Sequence, residues 1–285
     1  MINKRVIARL DVKNNSLVKG IHLEGLRVLG NPEDFAQKYY EDGVDEIIYM
    51  DVVASLYGRN SLTELVKKTA KNIFVPLTVG GGIRNLDDVG LLLKSGADRI
   101  SINTAAVKDP QLITKIANRY GSSTLVVAIE TIKTEGKYKV FVDNGREYTG
   151  LDIEDWIEKI EDLGAGELLI TSVDREGTGS GLDYELIDII ISKVNMPFII
   201  HGGIGSCDNF IDAFSKDGIN AICASSVFHY QALTELRDKG TDIKLEGNKD
   251  FLLSGRVNSK IKGTTINNLK SQLKSNNIKA RYDNE

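Results

Sequence analysis

The stretch "VPLTVGGGI" at residues 75–83 returns later in the chain as "MPFIIHGGI" at residues 196–204. An offset of 121 residues aligns the proline and the Gly-Gly pair of one copy with those of the other. Each copy is a short apolar run that ends in glycines, which is typical of a buried parallel strand followed by a tight turn. The recurrence therefore predicts a fold in which one unit is used twice.

Two further segments repeat in the same order. "GVDEIIYMDV" (43–52) falls on "GAGELLITSV" (164–173) at the same offset, and "VIARLDV" (6–12) falls on "LVVAIET" (125–131) at an offset of 119. Because each match lies at a strand-like run, the repeat indicates two related half-domains and not a chance similarity.

Strand-like runs alternate with helical patterns along most of the chain, and a helix closes the order. This pattern predicts an α/β fold, a (βα)8 TIM barrel built from two duplicated half-barrels. An open doubly wound sheet is the alternative. We expect one domain over residues 1–285, with halves of about 1–120 and 121–285. The eight predicted strands are residues 5–12, 45–52, 75–81, 99–103, 125–130, 167–174, 197–203 and 221–226.

Composition limits the classes of function. A net charge of −4 and a pI near 5.6 argue against a general nucleic-acid or anionic-membrane surface, so an anionic ligand needs local recognition. Cys207 and Cys223 have no metal-type spacing, and three histidines are too few to favour a multi-histidine metal site. We expect no metal and no cofactor. The charged N-terminus and the lack of a long apolar run predict a cytoplasmic protein.

Glycine-rich segments follow predicted strands at equivalent places in the two halves. "GGGIRN" (80–85) and "NTAAV" (103–107) form one pair, and "HGGIGS" (201–206) and "ASSVF" (224–228) form the other, with "DREGTGSG" (174–181) beside it. Glycines at a strand end let backbone N–H groups approach an anion. The alternative is that they make tight turns alone. Two such cradles predict a long substrate with a phosphate at each end.

Two carboxylates end equivalent strands between the cradles. Asp11 aligns with Glu130, and such a pair suits general acid/base chemistry. Asp11 lies beside a long loop that carries Lys19. Asp51 also ends a strand, but we favour a structural role for it, in which it caps nearby backbone.

These motifs resemble the cyclase subunit of imidazole glycerol phosphate synthase, the HisF family, over about residues 1–230 and again at the final helix. The related isomerase family, HisA, shares the duplication and both phosphate sites, but "INTAAV" and "VVAIE" favour the cyclase. The segments that carry the resemblance are "RVIARLDVKNNSLVKG", "DVVAS", "VGGGIR", "GADRISINTAAV", "VVAIE", "GAGELLITSVDREGTGSG" and "ASSVFH".

The resemblance implies that ammonia condenses with a bisphosphorylated ribulosyl-formimino aminoimidazole carboxamide ribonucleotide. The products would be imidazole glycerol phosphate and aminoimidazole carboxamide ribonucleotide, in histidine biosynthesis. Asp11 and Glu130 would be catalytic, and Lys19 would belong to a flexible loop that closes over substrate. The residues implied in phosphate binding are Gly82, Asn103 and Thr104 at one site and Gly177, Gly203, Ala224 and Ser225 at the other.

The family also takes ammonia from a glutaminase partner, HisH, at the N-terminal face of the barrel. Arg5, Glu46, Arg99 and Glu167 stand at the positions of the charged ring that guards the ammonia entrance. Their alternative role is a buried salt-bridge cluster that stabilises the barrel floor.

Four features depart from the family pattern. Glu130 and Glu176 stand where Asp is usual, His201 stands where a small Ser is usual, and about residues 229–263 form an insertion before the last helix. One extra methylene moves a carboxylate by roughly 1 Å, which can change a rate by about 10²-fold. The second hypothesis is therefore a HisF-like paralogue that delivers ammonia to another acceptor, such as a surface-polysaccharide sugar. A scaffold that merely activates the glutaminase is a weaker third.

Overall fold

The computed structural model describes residues 3–54, 62–238 and 259–282. The described residues contain short strands whose inward and outward side chains alternate. In chain order the strands are β1 (Arg5–Lys13), β2 (Ser16–Ile21), β3 (Glu24–Gly30), β4 (Glu46–Asp51), β5 (Leu77–Gly80), β6 (Arg99–Ile102), β7 (Leu125–Thr134), β8 (Lys137–Val142), β9 (Glu147–Asp152), β10 (Glu167–Ser172), β11 (Phe198–His201) and β12 (Ala221–Ala224).

Eight of these strands form a closed parallel barrel. The hydrogen-bonded order is β1, β4, β5, β6, β7, β10, β11 and β12, and β12 pairs with β1 to complete the circle. The predicted (βα)8 fold is confirmed. Helices connect these strands and pack around them, since parallel strands need crossover connections.

The helices bury their apolar faces against the barrel. One helix shows this clearly, because its buried residues recur at helical spacing and fall on one face: Ile153, Trp156, Ile157 and Ile160. The helices are α1 (Pro32–Glu41), α2 (Thr63–Thr69), α3 (Leu86–Lys94), α4 (Thr104–Lys108), α5 (Gln111–Tyr120), α6 (Ile153–Asp162), α7 (Tyr184–Lys193), α8 (Cys207–Phe214), α9 (Ser226–Asp238) and α10 (Ile266–Ser275). Among the described residues, no helix is long and apolar enough to cross a membrane.

Each half of the barrel carries an antiparallel excursion after its first strand. Strands β2 and β3 follow β1, and β8 and β9 follow β7. Asn14 and Asn15 connect β1 to β2, and Glu135 and Gly136 connect β7 to β8, all four at positive φ. Two-residue turns of this kind join antiparallel strands because their twist matches that of the strands. The expectation of a long loop after β1 is therefore wrong.

The inside of the barrel contains two kinds of layer. An apolar cluster fills the middle, and charged residues lie at the amino end below it and near the carboxyl end above it. The members of this inner cluster are Ile7, Ile48, Val126, Ala128, Leu169, Ile199, Ala221 and Cys223.

The final helix is held to the barrel by apolar burial and by one buried ion pair. Ile266, Leu269 and Leu273 are fully buried. Lys270 Nζ lies 2.7 Å from Asp45 Oδ1, and the other oxygen of that carboxylate accepts the Val6 N–H at 2.7 Å. Of the predicted insertion, residues 229–238 continue helix α9, and residues 239–258 lie outside the described residues.

We expect Leu269→Ala to lower the free energy of unfolding by about 3 kcal/mol, because it leaves a cavity between α10 and the barrel. Urea denaturation followed by circular dichroism measures the change. Ser271→Ala, on the exposed face of the same helix, is the matched control and should stay within about 0.5 kcal/mol of the unchanged chain. Equal stability of the two variants would contradict an integral role for α10.

Candidate active site

The first predicted cradle opens at the carboxyl end of β5 and β6. Gly82, Asn103 and Thr104 all line one cavity of about 180 Å³, and Glu130 lines the same cavity. Arg84 and Lys108 add two basic side chains to its wall. The structure therefore brings the predicted phosphate residues of the first half together with one predicted catalytic carboxylate.

A glycine is required at residue 81, where β5 turns toward α3. Its φ of +98° disfavours side chains, and a Cβ there would lie 2.3 Å from the Asp51 carbonyl oxygen. Asp51 Oδ1 in turn accepts the Val53 N–H at 3.1 Å, which fits the structural role favoured for this carboxylate. Asn85 then caps α3 by accepting the N–H groups of Asp87 and Asp88 at 2.9 Å.

The second predicted cradle is much smaller. Gly177, Gly203, Ala224 and Ser225 line one cavity together with His201, but its volume is about 10 Å³. That volume is close to the minimum for one water molecule. The residues of the second predicted cradle therefore lie together, and the cavity between them is small.

The β2–β3 hairpin covers the second cradle and carries Lys19. The Lys19 side chain is buried, pairs with Glu176 and donates to the Gly20 carbonyl at 2.9 Å. The second oxygen of Glu176 accepts the Leu23 N–H at 3.0 Å, and Asn144 Nδ2 donates to the Leu23 carbonyl at 2.9 Å. Lys19 thus lies in a strand that these contacts hold across the mouth of the barrel. Its ammonium group does not face the first cavity.

Asp11 is held by a buried arginine of its own strand. Asp11 is 2% exposed, and Arg9 Nε donates to Asp11 Oδ1 at 2.7 Å. Residues two apart in a strand face the same side, so both side chains point into the barrel.

Glu130 is less enclosed than Asp11 and has a perturbed acidity. Its side chain is half-buried and opens onto the first cavity, while Oε2 accepts the Gly145 N–H at 2.7 Å. Burial raises the pKa of Glu130 to about 7, although Arg9 and the Gly145 N–H oppose the shift. The charge of Asp11 adds to the rise. A carboxyl with a pKa near neutrality can either give or take a proton.

Sequence reasoning missed Arg9. It is 2% exposed, and its Nη1 lies 3.2 Å from Thr171 Oγ1 and 3.4 Å from His201 Nδ1. Burial, and then the Arg9 charge, lower the pKa of His201 well below its usual value, so the imidazole is neutral. The signal was present in "RVIARLDV", where the alternation of β1 places Arg9 on the same face as Asp11.

The four predicted gate residues form a closed ring at the amino end of the barrel. Arg5 Nη1 lies 2.6 Å from Glu46 Oε1, and Arg5 also pairs with Glu167. Arg99 Nη1 lies 2.5 Å from Glu167 Oε2 and 3.6 Å from Glu46 Oε2. Burial alone would lower the pKa of Arg5, but its hydrogen bonds and charge pairs with both glutamates raise it above the ordinary value. Positively and negatively charged side chains therefore alternate around the opening.

Metal-binding groups are not clustered in the part of the chain that the structure describes. No set of three or more His, Cys, Asp or Glu side chains there could hold a metal ion.

An eight-stranded parallel α/β barrel with glycine-rich turns and two carboxylates at its mouth defines the class: a (βα)8 barrel enzyme. The family described as "Histidine biosynthesis protein" matches residues 5–234, and the chain belongs to that family.

Curated relatives support the same family. The chain is 56% identical over 211 residues to a protein of Legionella pneumophila, a match that covers 74% of this chain and 100% of the relative. It is 42% identical over 251 residues to a protein of Natranaerobius thermophilus, a match that covers 86% of this chain and 100% of the relative. It is 45% identical over 235 residues to a protein of Alkaliphilus metalliredigens, a match that covers 82% of this chain and 93% of the relative. Each relative is named imidazole glycerol phosphate synthase subunit HisF.

The raised pKa of Glu130 predicts a pH-dependent difference in stability between the chain and Glu130→Gln. The folded state holds the proton more tightly than the unfolded chain, whose ordinary value is 4.5, so stability is lost as the pH rises through about 7. Glu130→Gln removes this loss. We expect the variant to be more stable at pH 8 by on the order of 2 kcal/mol, with the difference vanishing near pH 4.5.

Urea titrations of both proteins at several pH values measure this difference. Other titrating groups are common to both, so the subtraction isolates Glu130. A difference that is constant from pH 4.5 to pH 8 would show that the folded state does not raise this pKa.

Proposed function

We propose that the chain is the cyclase subunit of an imidazole glycerol phosphate synthase. It would use ammonia to convert the bisphosphorylated ribulosyl-formimino aminoimidazole carboxamide ribonucleotide to imidazole glycerol phosphate and aminoimidazole carboxamide ribonucleotide. One observation carries the proposal: two glycine cradles flank two inward carboxylates, Asp11 and Glu130, at the mouth of a barrel of the family whose relatives bear this name.

The two carboxylates would divide the proton transfers between them. Arg9 donates to Asp11 at 2.7 Å, which fixes the orientation of a carboxylate that would accept a proton from substrate. Glu130 has a pKa of about 7 and faces the open cavity, which suits a group that can deliver a proton to substrate. Gly82, Asn103 and Thr104 would hold one substrate phosphate beside Glu130.

The second phosphate would bind at Gly177, Gly203, Ala224 and Ser225. The helix α9 starts directly after Ser225, so its positive end points toward a bound anion. Because the cavity there is about 10 Å³, binding requires the β2–β3 hairpin to move, and Lys19 would leave Glu176 and meet the phosphate. The hairpin would then close again over the bound substrate, as the loop is expected to do in the family.

Ammonia would enter at the amino end, through the ring of Arg5, Glu46, Arg99 and Glu167. The glutaminase partner would dock on the same face. Phe74, just before β5 on that rim, is 77% exposed. An exposed aromatic of this kind is typical of an interface anchor.

The small volume of the second cradle supports the paralogue hypothesis. His201 and the latched hairpin leave little room for a second phosphate, as expected if the natural acceptor carries a single anionic group. In that case the ring and the docking face would serve the same ammonia transfer, with a different acceptor such as an amino-sugar precursor.

We expect the purified chain to form imidazole glycerol phosphate from the ribulosyl substrate when ammonium salts are supplied. Asp11→Asn should lower kcat by about 10² or more, because the inward base is lost. Product formation is followed by chromatography, and circular dichroism verifies the fold. A folded chain that gives no product, yet stimulates its glutaminase partner, would exclude the cyclase and favour the paralogue.

We also expect Phe74→Ser to weaken binding of the glutaminase by about 2 kcal/mol, roughly a 30-fold rise in Kd. Calorimetric titration measures the affinity. Tyr148→Ser is the matched control, because Tyr148 is an aromatic residue 51% exposed on β9, at the opposite end of the barrel. If Tyr148→Ser weakened binding as much as Phe74→Ser, docking at the amino-terminal face would be wrong.

A further inference from the structure

The internal repeat reveals an asymmetry inside the barrel mouth. The offset that aligns Asp11 with Glu130 aligns Arg9 with Ala128, and the offset of 121 aligns His201 with Gly80. These four positions alternate along their strands with outward-facing residues, so they lie on the inner face of the barrel. Two of the largest inward side chains thus stand where the other half of the repeat has two of the smallest.

The large pair lies in one continuous half of the barrel wall. We call the strands β10, β11, β12 and β1 the closed half. Arg9 reaches from β1 to Thr171 on β10 at 3.2 Å and to His201 on β11 at 3.4 Å. His201 Nε2 lies 3.5 Å from Ser225 Oγ, which itself donates to the Arg9 carbonyl at 3.0 Å. Both Arg9 and His201 are 2% exposed, so together they fill this side of the interior.

On the opposite side of the wall, small and polar residues stand beside the apolar Ile48 and Val126. We call the strands β4, β5, β6 and β7 the open half. Ala128 is 7% exposed, whereas every other member of the inner cluster of described residues is fully buried. Ser101 lines the first cavity, so that cavity reaches down the inside of β6. A Cβ at Gly80 would lie 2.7 Å from Met50 Sδ, so the absence of a side chain there makes room for Met50.

Both halves of the interior also contain unpartnered polar atoms among the described residues. Thr78 Oγ1 and Ser101 Oγ on the open half are buried and have no hydrogen-bond partner among the described residues. Arg9 Nη2 on the closed half is buried with no acceptor in the same described part. Buried polar atoms normally have partners, so such atoms mark places where a small polar molecule can bind.

We propose that Arg9 and His201 form a plug that closes one half of the barrel interior, so that a small molecule rising through the barrel reaches the mouth along the open half, beside Glu130. The plug rests on the proposed function, since ammonia would be that molecule. Ammonia would pass Thr78 and Ser101 and emerge next to Glu130. The guanidinium of Arg9 repels ammonium and leaves neutral ammonia unhindered.

A role in filling space alone does not explain why these two residues are Arg9 and His201. An apolar side chain would fill the closed half without the cost of desolvating a guanidinium, and a buried arginine is a weak contributor to stability. The pair instead places a fixed positive charge at one side of the exit. That charge also holds Asp11 away from the path, so the carboxylate that meets incoming ammonia is Glu130.

Blocking the open half tests the plug in the complex with the glutaminase. Ala128→Leu adds three carbons on the open half, and we expect glutamine-dependent turnover to fall by about tenfold or more because close packing leaves no second route. Turnover with ammonium salts, which reach the mouth from solvent, should fall much less. The measured quantity is the ratio of the two turnover rates.

Leu169→Phe is the matched control. It adds three carbons on β10 of the closed half, where the plug already blocks passage, so the ratio should remain that of the unchanged chain. Thermal melting shows whether either variant is destabilised. If Leu169→Phe lowers the ratio as much as Ala128→Leu, or if Ala128→Leu leaves the ratio unchanged, the plug is wrong.

A second measurement does not depend on turnover. Cys223, on β12 of the closed half, is fully buried and lies in register with Ile7 of β1 and His201 of β11. In a Cys207→Ser background, we expect Cys223 to resist a small neutral thiol reagent, methyl methanethiosulfonate, and to react at least tenfold faster in Arg9→Ala/His201→Gly. An engineered Ala128→Cys, on the open half, should react in the presence of the plug.

Equal rates for Cys223 with and without Arg9 and His201 would overturn the plug. The two experiments also separate the two hypotheses. If the unchanged complex makes no product with glutamine or ammonium salts, the proposed function fails, while the thiol rates still decide whether the closed half is plugged.

Discussion

Closure of the barrel is the constraint on which the rest of this structure depends. Because β10 pairs with β7 and β12 with β1, every second side chain of eight strands enters one narrow interior. A charged side chain in that space has little water and must find a partner on its own or another strand. Arg5 and Arg99 therefore alternate with Glu46 and Glu167 at the amino end.

The duplication provides two similar frameworks with different side chains. Each half has a first strand, an antiparallel excursion, and a glycine turn before a helix. The inward residues then diverge: Arg9 fixes Asp11 in one half, while the equivalent Ala128 leaves Glu130 open to a cavity. One carboxylate is held by an ion pair and the other has a pKa of about 7, so a nearly symmetric backbone supports two different acid/base roles.

Much of the fold and the site was predictable from local patterns. The eight barrel strands and both glycine cradles follow from apolar runs and glycine positions, which act over a few residues. The two hairpins were missed although Asn14-Asn15 is a strong turn signal, because the β-strands beside it are short and mixed in polarity. Arg9 was missed because the role of a charged residue in an apolar strand depends on its partners on other strands.

The sequence by itself determined the periodicity of the barrel, its duplication, and the glycines that permit tight turns, since these follow from alternation and from the steric limits of single residues. The tertiary structure alone decided that Lys19 pairs with Glu176, that the first cavity is large and the second small, and that the pKa of Glu130 lies near 7. These properties depend on distances between residues far apart in the chain and on the loss of water around them. No local pattern encodes either quantity.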